Sequence, residues 1–291
     1  MKRLAFFLAM AGCLAATGVA EAHLFGPNGE GNPYFAPAVP DEFIPTYDGD
    51  LSDWAWFPPA YTFTPDWFIQ IGNFTDAEAD VPKDDFDVII YGPAWIPSQN
   101  MLTWAVHKVD NIFFTRSDNH QDSWDEDVIQ FAIDADHGGE DKGNDQEYQQ
   151  SFFSPKLGGA LGLYGDVNLL WAYQPPHAFF GISPSRVEGT NGTFDVEVQL
   201  HIWDHLDPAG ASASTLHRLQ AGQIIGTSIE IIDSEEGVSE FPDVEFDFGN
   251  IAIGGSVVPD YYLMSVEDTR SLIPTAVENT SWGRVKRALA E

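Results

Sequence analysis

Short runs in which apolar and polar residues alternate, broken by Gly, Pro and Asn, dominate the chain. Asp84–Tyr91 and Met101–Lys108 read as paired strands joined across a Gly92-Pro-Ala-Trp-Ile-Pro97 turn region, with Leu102, Trp104 and Val106 on one face of the second. Asp127–Ile133, Tyr148–Phe153, Val167–Tyr173, Thr193–Ile202, Gln223–Ile232 and Ile251–Ile253 carry the same signature, and a strand-like pass begins near Tyr47. Ala211–Gln220 is the one segment that reads as a short helix. No period of a solenoid or propeller repeats, and no linker divides the stretch after residue 45. Many short strands in one unit predict a single all-β, antiparallel β-sandwich with long loops and at most one or two short helices.

Composition sharpens this picture. Aromatic residues make up 13% of the 291 residues, and 26 Gly with 19 Pro supply the turns, which excludes a helical bundle. Lys and Arg total 13 against 45 Asp and Glu, a formal charge of −32. Nucleic acid and anionic membrane surfaces would be repelled before contact, so neither is a partner.

The N-terminus has its own logic. Met1-Lys-Arg3 is a basic start, Leu4–Val19 is almost wholly apolar, and Ala20-Glu-Ala22 supplies a small-x-small cleavage pattern. Residues 1–22 read as a secretory signal peptide cut after Ala22, and the product is secreted, periplasmic or at the cell surface, with cell-envelope association open. The single cysteine, Cys13, lies in this segment. A lipid anchor at Met10-Ala-Gly-Cys13 is the rival reading, with an unusually short apolar region against it. Residues 23–45, rich in Gly, Pro and Asn, read as an extended leader, and 46–291 as the sandwich.

Three stretches occur in a recognisable order: Tyr47-Asp-Gly-Asp-Leu-Ser-Asp-Trp54, Asp122-Ser-Trp-Asp-Glu-Asp-Val-Ile-Gln-Phe-Ala-Ile-Asp134, and Ser281-Trp-Gly-Arg-Val-Lys286. With the segments Gln146–Ser151 and Leu219–Gly226, the chain from Tyr47 to Lys286 resembles the family 9 carbohydrate-binding modules and their relatives, which are jelly-roll-like sandwiches. The resemblance implies a sugar held between two Trp rings, with polar side chains on neighbouring strands. It assigns the first ring to Trp124 and the polar partners to Gln130 and Gln149. The second Trp has no counterpart, since none lies between Trp203 and Trp282; Tyr261 and Tyr262 are the substitutes. Rings suit the apolar C–H face of a pyranose, and amides suit its hydroxyls.

A metal is read from the loop Asp134–Asp145, whose acids at positions 1, 3 and 12 and Gly at position 6 approximate the oxygen spacing of a calcium loop. Asp134, Asp136, Glu140 and Asp145 are the candidate ligands, with a solvated acidic turn as the plain alternative. Asp48, Asp50 and Asp53 form a second acidic knot, more simply a turn. His201 and His205, four apart, would share a strand face and suit zinc or copper. His23 at a processed N-terminus suggests a copper ligand. Asn73, Asn191 and Asn279 begin N-x-[ST] sequons.

There is no Gly-x-Ser-x-Gly elbow, no His-Glu-x-x-His and no phosphate loop, so no catalytic motif supports an enzyme. The reading is an exported, non-catalytic carbohydrate-binding protein, calcium-stabilised, of the kind that accompanies glycoside hydrolysis. Two alternatives stand beside it: a structural envelope protein without a ligand, and a periplasmic haem b carrier. The second follows from relatives resembling the ethylbenzene-dehydrogenase subunit, in which Met pairs with Lys or His. Met101 with Lys108 or His107 are the residues concerned, and on one strand they cannot reach both faces of a porphyrin.

Overall fold

The computed structural model describes residues 33–67, 83, 86–113, 126–139, 146–154, 160–163, 166–183, 192–234, 244–247 and 258–273. The strands are β1 (Tyr34–Ala36), β2 (Thr62–Phe63), β3 (Phe86–Ile96), β4 (Met101–Asp110), β5 (Ile129–Asp134), β6 (Tyr148–Ser154) and β7 (Ala160–Leu163). They continue with β8 (Ala178–Ser183), β9 (Gly192–Leu200), β10 (Trp203–His205), β11 (Thr215–Leu216), β12 (Ile224–Asp233), β13 (Val244–Asp247) and β14 (Asp260–Leu263). Sheet A runs β1-β14-β12-β5-β6-β7, with β13 also paired to β12; sheet B runs β2-β3-β4-β9-β8. All pairs are antiparallel except β1 with β14. Among the described residues no helix is long and apolar enough to cross a membrane.

The alternation in the sequence is the cause of the two layers. Odd and even residues of a strand face opposite sides, so Leu102, Trp104 and Val106 of β4 join Val196, Val198 and Leu200 of β9 beneath Ile129, Phe131, Ile133, Ile229 and Ile231 of sheet A. Trp104 and Phe131 meet across the layers at 5.0 Å between ring centroids. Trp104 is 1% exposed, and truncating a ring of that size in a closed core costs about 3–5 kcal/mol.

Sheet B is covered on its outer face as well. The first half of β3 alternates buried with half-buried residues, while its second half is buried throughout. The cause is a second apolar cluster: Val39, Trp54, Trp56 and Phe57 lie over Ala94, Ile96 and Ala105. The Tyr47–Trp54 motif is the clasp that holds this cover down. Glu197 of β9 accepts from Trp54 Nε1 at 2.8 Å, Gly49 N at 2.9 Å and Asp48 N at 3.1 Å. Burial pushes the Glu197 carboxyl above the ordinary range, against those three donors. Two glycines permit the contact. A Cβ on Gly49, which has φ +83°, would stand 2.4 Å from the Ile182 carbonyl carbon, and one on Gly181 would stand 2.3 Å from Asp48 N.

Several expectations are corrected. The Gly92-Pro-Ala-Trp-Ile-Pro97 stretch is strand up to its last residue: β3 runs through to Ile96, and Gly92, at φ +118°, marks a shift of register between Tyr91 and Ala94. Val167–Tyr173 is a 3-10 helix, because Asp166 caps it by accepting from Asn168 N. Near Tyr47 there is no strand but a 3-10 turn at Leu51–Trp54, capped by Asp50. Ala211–Gln220 holds β11 and turns, while Val266–Leu272 forms an α-helix, α1, whose N-cap Ser265 accepts from Asp268 N at 3.1 Å. The leader supplies β1 to sheet A, so part of it is built into the sandwich. Ile251–Ile253 and residues 1–22 lie outside the described residues.

Candidate functional site

The outer face of sheet A is the surface where sequence and structure meet. β12, β5 and β6 are its central neighbours, with Gln130 opposite Glu230 on one side and Phe152 on the other. Gln130, Ala132 and Asp134 point outward, since Ile129, Phe131 and Ile133 point into the core. Beside them on this face are Gln150, Ser228 and Glu230. The Gln150 amide Nε2 donates to Gln130 Oε1 at 3.4 Å. Gln130, Ser228 and Glu230 are 4%, 3% and 3% exposed, and Ser228 Oγ has no hydrogen-bond partner among the described residues. Apolar groups bracket this polar strip: Val128, Phe152 and Ile232 at one end, Ala132, Tyr148 and Val258 at the other. The arrangement is a floor of amide, hydroxyl and carboxylate groups between two apolar borders.

Gln149 does not join it. Ile133 and Gln149 are paired across β5 and β6, which puts Gln149 on the inward face, one residue out of step with Gln150. Its amide is used from both ends: Nε2 donates to the Trp203 carbonyl at 2.6 Å, and Oε1 accepts from Trp203 N at 3.2 Å. A one-residue slip in register exchanges the faces of a strand, and adjacent glutamines hide that slip from the sequence. Nor do the tyrosines close a clamp here. Tyr261 is 0% exposed and packs inward against Tyr34. Tyr262 is opposite Ile224, six residues along β12 from Glu230, about 20 Å away at a strand's rise. Tyr262 instead meets the exposed ring of Phe35 at 5.9 Å. Trp124 lies outside the described residues.

At the far end of the same face, the loop after β5 closes on Asp134. Its Oδ1 accepts from Gly138 N at 3.0 Å and its Oδ2 from Gly139 N at 2.9 Å. His137, at φ +60°, places Nε2 2.8 Å from Asp260 Oδ1, and that carboxylate raises the imidazole's pKa. Asp136 is exposed; partial burial and the charges of Asp134 and Asp204 push its carboxyl upward. Glu140 and Asp145 lie outside the described residues. The knot at Asp48, Asp50 and Asp53 is turn chemistry: Asp50 N, Ser52 N and Thr46 N are donors to their respective carboxylates.

One acidic group escaped the sequence reading. Asp110, Asp127 and Asp233 converge in the interior, with ligand atoms within 4.8 Å of one another. Their cation is Lys108, 1% exposed, whose Nζ stands 2.7 Å from Asp110, 2.5 Å from Asp127 and 3.2 Å from Asp233, and donates to the Ile232 carbonyl at 2.9 Å. Phe86 and Phe113 face the ammonium, their centroids 5.3 and 5.4 Å away. Burial works against the charged lysine, but the three carboxylates outweigh it and hold its pKa well above the usual value. Burial first, then the crowding of Asp110, pushes Asp233 up to about 7. Lys108 is thus consumed by an ion cluster and is no haem ligand. His107 is engaged by Asp195 at 2.6 Å, and Met101 is 3% exposed at the start of β4.

His201 and His205 do not share a face. β9 ends at Leu200 and the chain turns before β10, so His205 stands 3.7 Å from Glu147 while His201 meets His177, Nδ1 to Nδ1, at 3.3 Å.

Comparison with protein families finds no family model that matches the chain. No curated protein matches it either. Among solved structures it is similar to a family 9 carbohydrate-binding module from Caldicellulosiruptor kristjanssonii in complex with glucose. Identity is 11%, over 80% of this chain and 95% of that one, with a TM-score of 0.47.

Proposed function

We propose that the protein is an exported, non-catalytic carbohydrate-binding protein whose ligand lies on the outer face of sheet A. The observation that carries this reading is the strip Gln130, Gln150, Ser228 and Glu230. Burying a polar group costs free energy unless a partner replaces the water it loses, and Ser228 Oγ has none among the described residues. Sugar hydroxyls are such partners, being donors and acceptors at once, and the apolar borders suit the C–H faces of a pyranose. Trp124 is the ring the sequence resemblance assigns to the site, five residues before β5. With one ring and a few hydrogen bonds, affinity falls between micromolar and millimolar, about −4 to −8 kcal/mol.

Calcium enters the proposal as a stabilising ion at Asp134, Asp136, Glu140 and Asp145. An ionised carboxylate has about four lone-pair positions, so Asp134 keeps capacity after accepting from Gly138 and Gly139. The crowded Asp136 would be relieved by a cation.

A glycan screen followed by calorimetric titration tests the binding reading. Gln150→Ala and Trp124→Ala should each weaken binding at least tenfold while the melting temperature holds. A screen without a binder, together with a strongly destabilised Trp124→Ala, would make Trp124 a packing residue and defeat the proposal.

A further inference from the structure

At the end of sheet B, β8 begins at Ala178 and β9 ends at Leu200, and those two residues are paired. The next pair outward is His177 with His201, whose backbone is tied by His201 N donating to His177 O at 2.8 Å. Directly opposed side chains leave a sheet as neighbours, and here both are half-buried imidazoles with their Nδ1 atoms 3.3 Å apart. That spacing is informative. Two nitrogens at about 2.0–2.1 Å from a tetrahedral zinc stand about 3.3–3.4 Å apart, whereas cis ligands of a square-planar ion would stand about 2.8–3.0 Å apart.

The surroundings fix the ligand atoms. His201 Nε2 faces the Gln99 carbonyl at 3.4 Å, which places the proton on Nε2 and leaves the lone pair on Nδ1, toward His177. Trp171 and Trp203 pack edge-on against His177, each with its centroid 5.3 Å away, and hold the ring's orientation.

We propose that His177 and His201 form a two-imidazole chelate for a tetrahedral divalent transition ion, zinc being the probe, with solvent completing the coordination. The site is remote from the polar strip of sheet A and independent of the carbohydrate reading. Metal-stripped full-length protein, titrated calorimetrically with zinc in millimolar calcium to saturate carboxylates, should take up one zinc per chain. His177→Gln or His201→Gln should weaken this at least tenfold, and His205→Gln should leave it unchanged. Cobalt(II) in the wild type should give the intense visible absorption of a tetrahedral ion, a readout that survives if a histidine variant fails to fold. Absence of zinc uptake in calcium, uptake indifferent to His177→Gln, or the weak spectrum of octahedral cobalt would each overturn the site and leave a long imidazole–imidazole hydrogen bond.

Discussion

Replacing Lys108 with Met tests the interior ion cluster most directly. Met retains most of the lysine's aliphatic stem, and near-isosteric core exchanges usually cost less than about 1.5 kcal/mol. What the variant loses is the cation for Asp110, Asp127 and Asp233. Breaking a buried pair by removing one partner costs about 3–5 kcal/mol, because the remaining charge stays uncompensated. Three carboxylates around one ammonium place this case at the upper end. With a urea slope near 3 kcal/mol per molar, the midpoint should fall by roughly 1.3–1.7 M at pH 8. The pH dependence separates charge from packing. Asp233, held up at about 7, binds a proton in the folded chain that the unfolded chain releases near 4. Its contribution to stability is therefore complete below about pH 4 and is lost as pH rises through about 7. Without the lysine, Asp127 and Asp233 shift upward again, so the deficit of Lys108→Met should narrow markedly between pH 8 and pH 5. A midpoint within 0.3 M of the wild type (about 1 kcal/mol at that slope) at pH 8, or an equal deficit at both pH values, would refute the electrostatic account.

Gln149→Ala should destabilise by about 2–4 kcal/mol in a thermal melt, since it strands the buried N–H and C=O of Trp203, whereas Gln150→Ala should stay within about 1 kcal/mol. Gly49→Ala should lower stability by several kcal/mol, about 3 or more, because the positive φ and a 2.4 Å approach to the Ile182 carbonyl carbon both forbid the methyl group. Chelation should lower the melting temperature and added calcium should restore it by mass action, with the rise lost in Asp134→Ala combined with Asp136→Ala. Identical melting with chelator and with millimolar calcium would leave that loop a solvated turn.

Hydrophobic alternation made β4, β5, β6, β9 and β12 legible, because period-two patterning is the direct requirement of a two-layer core, but it passed over the shorter β7, β8, β10 and β11. It misread Val167–Tyr173, where a capping aspartate just upstream decided for a 3-10 helix over an apolar run of strand-like composition. It also missed α1, although Ser265 and Asp268 at cap spacing were there to be found. The interior cluster was harder. Lys108 sits in an alternating strand where an inward charge contradicts the pattern, and its three partners are spread from residue 110 to 233, joined only by the fold. The site suffered from a similar limit: Gln149 and Gln150 are equivalent until the register with β5 selects a face. His177 and His201, 24 residues apart, carry no spacing signal because a cross-strand pair belongs to two segments.

The two outer faces of the sandwich divide its surface unequally. Sheet B gives its outer face to its own chain: the segment from Val39 to Phe57 lies over it, held by Trp54 and the backbone of Gly49 on Glu197. Glu197 on that face is already satisfied from within, so a ligand there would have to displace an apolar cover and leave a buried carboxylate without its three donors. Each stranded partner of such a charge costs about 1–3 kcal/mol or more, and no weak ligand returns that. Among the described residues no such clasp lies on the polar strip of sheet A, and Ser228 Oγ lacks a partner there. The same reasoning yields a discriminating outcome. Glu197→Gln should lower stability by about 1–3 kcal/mol, because the neutral amide is a poorer acceptor for Trp54, Gly49 and Asp48. It should leave sugar affinity unchanged, as measured by titration well below its melting temperature. A loss of binding in Glu197→Gln with melting unchanged would move the ligand to sheet B and overturn the assignment of faces.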